Sequence, residues 1–131
     1  MWRYYLNNPI GRSVHDCTVR ALSKALNLSW DDAHRELSEA SRQMGTMMHD
    51  NSVMDAILRR NGFLRKNIPN YCPECYTIEE FCEDHPKGLY VLGTGTHVVT
   101  VVDGDWFDSW NSGYEVPLYY WYKEKNNGRI L

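Results

Sequence analysis

The sequence carries no excess of basic charge: 14 Lys and Arg stand against 17 Asp and Glu, for a net charge of -3. A nucleic acid or an anionic membrane surface would need a basic footprint, so neither is expected as a partner. No apolar run is long enough to cross a bilayer. The opening Met1-Trp2-Arg3-Tyr4-Tyr5 leads into polar turn residues, where a secretory signal would place an apolar stretch. A cytoplasmic setting follows as the expectation. Cysteine is also scarce, and in a reducing compartment the four present are expected as thiols or metal ligands and not as disulfides. There is no repeat, low-complexity tract or linker, so residues 1–131 read as one domain, long enough to bury a core without staples.

What is present centres on His15-Asp16-Cys17-Thr18-Val19-Arg20-Ala21-Leu22. Upstream, Asn7-Asn8-Pro9 and Gly11 are turn residues. Downstream, Val19, Leu22 and Leu26 recur at the period of a one-sided helix. Cys17 therefore falls in a first helical turn, where unpaired N–H groups favour thiolate over thiol and can hold an oxyanion. The competing role is packing beneath the helix, since cysteine is among the most buried residue types.

A second stretch, His97-Val98-Val99-Thr100-Val101-Val102-Asp103-Gly104-Asp105-Trp106-Phe107-Asp108, reads as a hairpin pivoting at Asp103-Gly104. His97 opens one strand and Asp108 closes the other, so the turn returns these ends to each other. A carboxylate beside an imidazole fixes its tautomer and stabilises its protonated form, and a thiol in front completes a nucleophilic group. Strand alternation puts Asp108 with Trp106 and the rival Asp105 with Phe107, which favours Asp108, with Asn111 as the amide alternative.

This order, cysteine at a helix start, then histidine, then an acid on the next strand, resembles the papain-like cysteine peptidases. Asp108-Ser109-Trp110 is similar to their Asn-Ser-Trp, and Asp16-Cys17 to the Asp-Cys of bacteriocin-leader peptidases and NlpC-type endopeptidases. The fullest resemblance is to small papain-like proteins of bacteria and phages, with an Asp-Cys-x-x-Arg-Ala-Leu start and a His-Val-Val…Asp-Gly…Asp-x-Trp end. It implies an α+β fold in which N-terminal helices carrying the cysteine pack on an antiparallel sheet carrying the histidine and acid. It also implies a Cys17-His97-Asp108 triad, a peptide or protein substrate and no cofactor. The Cys-Gly-Ser-Cys-Trp signature of full-length papains is absent. Their oxyanion glutamine, six residues before the cysteine, is replaced by Gly11. Asn7, Asn8 or Arg12 remain as donors, and Asp16 either caps the helix or borders the oxyanion site with its carboxylate turned away. NlpC-type enzymes follow their cysteine with Ser-Gly, whereas Thr18-Val19 stands here.

Further along, Ser29 with Asp32 predicts a capped second helix with Trp30, Ala33, Leu37 and Ala40 inward. Asn51 or Ser52 is expected to cap a third, with Val53, Ala56, Ile57 and Leu58 inward and Gly62 closing it. Met47 and Met48 suit either the core or a substrate groove. Cys72, Cys75, Cys82 and His85 have the spacing C-x2-C-x6-C-x2-H, which suits tetrahedral zinc. An incidental turn followed by a Thr77-capped helix explains the same residues. Strands are predicted over 63–68, 89–92 and 116–123, the last near an edge because of Pro117, and 124–131 reads as loosely held. The functional expectation is a cysteine peptidase or amidase. The alternatives are a cell-wall peptide hydrolase and a non-catalytic binding module.

Overall fold

The computed structural model describes residues 1–70 and 73–123; Cys72 and the 124–131 segment lie outside the described residues. The chain folds as α+β. Four helices, α1 (Cys17–Leu26), α2 (Trp30–Met44), α3 (Asn51–Arg60) and α4 (Ile78–Asp84), accompany one sheet. Its strands are β1 (Trp2–Tyr4), β2 (Phe63–Asn67), β3 (Leu89–Gly93), β4 (Val98–Val102), β5 (Asp105–Asp108) and β6 (Tyr119–Lys123), in the order β1-β5-β4-β3-β6-β2. The sheet is mixed, not purely antiparallel as expected: β1 runs parallel to β5, pairing Trp2 with Trp106 and Tyr4 with Asp108.

β6 lies near an edge, as expected, one strand in from the end of the sheet. It begins after Pro117 and lies between β3 and β2, so proline sits outside the ladder that it would interrupt. Gly93 permits this arrangement, because a Cβ there would come within 2.3 Å of the Tyr119 ring.

Two apolar clusters are built around the sheet. The larger joins Val19 and Leu22 of α1, Leu37 of α2 and Ile57 of α3 to Val91, Val98 and Trp121. The smaller joins Ile78 and Phe81 of α4 to Leu92, Val99, Val101 and Trp106. Alternation along β3 and β4 thus supplies both clusters from neighbouring residues. Thr100, fully buried, donates its hydroxyl to the Ala21 carbonyl at 2.7 Å and pins α1 to β4.

The starts of α2 and α4 follow their expected capping chemistry. Ser29 accepts from the Asp32 N–H and Thr77 forms a full capping box with Glu80. The α3 cap is Asp50, not Asn51 or Ser52, and Met54 takes the buried place expected for Ala56. The Asp50 carboxylate accepts from both the Ser52 N–H and hydroxyl, at 2.9 and 2.8 Å, and as an anion it is favoured at a helix start. No described helix is long and apolar enough to cross a membrane.

Candidate active site

The Asp103-Gly104 turn has both residues left-handed, φ 49° and 82°, matching the two-residue hairpin expected of Asp-Gly. Asp103 holds it from the side, its carboxylate accepting from the Gly88 N–H at 2.8 Å. The hairpin then pairs Val102 with Asp105, Val101 with Trp106 and Thr100 with Phe107. Followed outward, that register returns Asp108 to His97: imidazole Nε2 and carboxylate Oδ2 are 2.6 Å apart. The burial of β5 alternates as anticipated, with Trp106 and Asp108 inside and Asp105 and Phe107 half-buried.

Asp108 is the most heavily bonded side chain in this region. Its Oδ2 also accepts from the Ser112 hydroxyl at 2.5 Å, and its Oδ1 from the Ser109 N–H and Arg20, both at 2.9 Å. Burial pushes the carboxyl pKa up, but hydrogen bonds from His97 and Ser112 and the charges of His97 and Arg20 prevail and hold it below the usual carboxylate value.

Since Nε2 is committed to Asp108, Nδ1 is the imidazole nitrogen left for Cys17. Burial pulls His97 down; its bonds to Asp108 and Cys17 and their charges override this and raise it to about 9. For Cys17, burial raises the thiol, and hydrogen bonding to His97 and to the Val98 backbone, with the charges of His97 and Arg20, brings it below its ordinary value. Sulfur, imidazole and carboxylate, separated by 80 and 11 residues in the chain, are therefore one interacting group.

The helix start that carries Cys17 differs from the other three. Asp16 stands in the cap position but makes no side-chain cap bond. Its carboxylate turns inward to the Arg20 guanidinium and to Trp30 Nε1, the latter at 2.9 Å. The expected capping role is thus not taken, because a buried cation one turn on outcompetes the neutral N–H groups. The first backbone bond of α1 is Arg20 N–H to Asp16 C=O, so the Cys17, Thr18 and Val19 N–H groups have no acceptor among the described residues. They are available to an oxyanion.

A cleft of about 1350 Å³ opens onto Cys17 and His97. Four loops frame it, contributing Val14 and His15, Met47 and His49, Gly95 and Thr96, and Trp110 with Glu115. Trp110 stands 5.2 Å from the His97 ring, centroid to centroid. The methionine pair is split between its two expected roles: Met47 is 65% exposed at the cleft, while Met48 packs on the larger core. The sequence pattern carries no signal for Glu115 at the cleft, because its loop is brought there only by the strand order.

No family model, curated protein or solved structure matches this chain.

The remaining expected site residues have other work. Asn8 is not at the cleft; its carbonyl oxygen accepts from the Ile10 and Arg12 N–H groups and closes a turn. Asn111 does not orient His97, since its oxygen accepts from Trp106 Nε1 and the Gly113 N–H. Asn7 and Arg12 do not line the cleft either. The zinc set is not assembled among the described residues. Cys75 is disulfide-bonded, contrary to the expectation of thiols throughout. Cys82 is buried in the α4 cluster with its thiol pushed up to about 12, chiefly by that burial. His85 follows α4 as its C-cap, its Nδ1 bonded to the Phe81 carbonyl and its ring stacked on Phe81 at 3.9 Å. No group of three potential ligands is positioned for a metal among the described residues.

Proposed function

We propose that this protein is a cysteine-dependent hydrolase of papain-like architecture, a peptidase or amidase working through an acyl-enzyme. The observation that carries the reading is the presence of Cys17 and His97 together in an open cleft, with buried Asp108 bonded to the imidazole and the thiol lowered by that imidazole. A binding module would need no such coupling, and burial alone would push this thiol the other way.

In the proposed reaction the Cys17 thiol gives its proton to His97, the sulfur forms a C–S bond to a substrate carbonyl carbon, and the C=O π electron pair moves onto oxygen. The backbone N–H groups at the start of α1 receive that oxyanion. As the tetrahedral species collapses, the C–N bond breaks and protonated His97 passes its proton to the leaving amine. Neutral His97 then removes a proton from water, whose oxygen attacks the thioester and releases the acid with Cys17 restored. Asp108 keeps the ring aligned and compensates its charge without taking the proton. Trp110 stands beside the His97 ring at the cleft.

The test is a library of peptidyl vinyl sulfones read by mass spectrometry on the intact protein and on its digests. Single-site addition at Cys17, abolished in Cys17→Ser and reduced at least about tenfold in His97→Ala, is the expected outcome. Equal addition at Cys17 and Cys82 would count against the assignment.

A further inference from the structure

Arg20 lies one turn into α1 with only 5% of its side chain exposed. Its guanidinium bridges two carboxylates from opposite ends of the chain, Asp16 on one side and Asp108 Oδ1 on the other at 2.9 Å. Asp16 and Asp108 are themselves 4% and 1% exposed. Taking three charges out of water is costly, and an apolar residue of similar volume would fill the same space at lower cost. The packing of α1 does not require an ion here, since Val19, Ala21, Leu22 and Ala25 already bury its inner face.

The arrangement does control charge. Two carboxylates and one guanidinium leave a balance of -1, which an imidazolium at His97 neutralises before the thiol ionises. We infer that Arg20 and Asp16 are positioning residues for the Cys17-His97-Asp108 group. The guanidinium keeps Asp108 ionised with Oδ2 turned to His97, and Asp16, tied in place by Trp30, sets how much positive charge reaches the sulfur. This rests on the proposed role of Cys17 as nucleophile. It also gives the unit Asp16-Cys17-x-x-Arg20 a single purpose: one helical turn supplies the nucleophile and both charges that adjust it.

The charged and titratable groups around Arg20 come from every neighbouring element. They are Asp16 at the N-cap of α1, Cys17 in its first turn, Asp108 at the end of β5, His97 before β4 and Tyr5 after β1. Lys24, one turn further along α1, is directed away over the Phe107 and Tyr5 rings at 4.0 and 5.6 Å. The guanidinium's charge favours the Cys17 thiolate, so its removal must move Cys17 ionisation to higher pH. Removal of the Asp16 charge must move it to lower pH.

The experiment follows iodoacetamide alkylation of Cys17 against pH in the full chain, with thermal unfolding recorded for each variant. Arg20→Gln is expected to shift the acid limb up by about one unit, and Asp16→Asn to shift it down by about half a unit. Arg20→Lys, which keeps the charge, stays near the wild-type limb. Limbs unmoved in both Arg20→Gln and Asp16→Asn, with only the unfolding temperature lowered, would overturn the inference and leave a purely structural bridge. If Arg20→Gln does not fold, the isosteric Asp16→Asn decides alone, and a limb that stays or rises is contrary. A wild-type limb at the ordinary thiol value would instead defeat the nucleophile assignment, and this inference with it.

Discussion

At Cys17 burial and hydrogen bonding pull the thiol in opposite directions, and the partner decides the result. Burial alone would leave an inert thiol, as it does at Cys82. His97→Ala therefore removes the larger opposing influence, and Cys17 should titrate at or above the ordinary thiol value of about 8.5. Stopped-flow alkylation near neutral pH should then slow by about tenfold or more. Asp108 gives a stability signature with a sign at each end. Its carboxyl is lowered in the folded protein, so its contribution is present above about 3.8 and lost as acid protonates it. His97 is raised to about 9, so its contribution is full below about 6.5 and declines as pH rises through 9. In urea unfolding, the stability difference between wild type and Asp108→Asn should be widest between these limits and shrink towards both. A difference that does not change with pH would mean that the two groups are not coupled.

At the scale of elements, the β4–β5 hairpin and the start of α1 place the three groups. Gly104 takes a left-handed conformation, and its added Cβ would lie 3.4 Å from the Cys82 carbonyl oxygen. Gly104→Ala should cost about 1–2 kcal/mol by chemical denaturation. The Cys17 alkylation profile should keep its midpoint, because the strain sits at the far end of the hairpin. A displaced midpoint would show that the turn tunes the chemistry directly. The hairpin was legible in the sequence because Asp-Gly and the β-branched run are local signals, and His97 and Asp108 stand almost symmetrically about it. The Asp16-Arg20 bridge was not legible. Its spacing is that of any surface ion pair on a helix, and only the arrival of Asp108 from 88 residues away makes it buried. The parallel β1 escaped for the same reason: three residues carry too little pattern to announce a partner more than a hundred positions on.

For the molecule as a whole, helices α1 to α3 and the sheet share the larger core, and the cleft opens where loops from both meet. Stability and site geometry are thus linked through buried ions. Arg20→Ala leaves two carboxylates without their shared cation and should cost about 3–5 kcal/mol, measurable by calorimetry. A loss below 1 kcal/mol, on the scale of an exposed pair, would show that the bridge is not held out of water.

The most direct measurement is the pH profile of iodoacetamide labelling at Cys17, read by mass spectrometry with Cys82 in the same molecule as the internal reference. Cys17 should label with an acid limb well below that of an ordinary thiol, while Cys82 should stay unlabelled until strongly alkaline pH. Labelling of both cysteines with one common midpoint would contradict the nucleophile assignment.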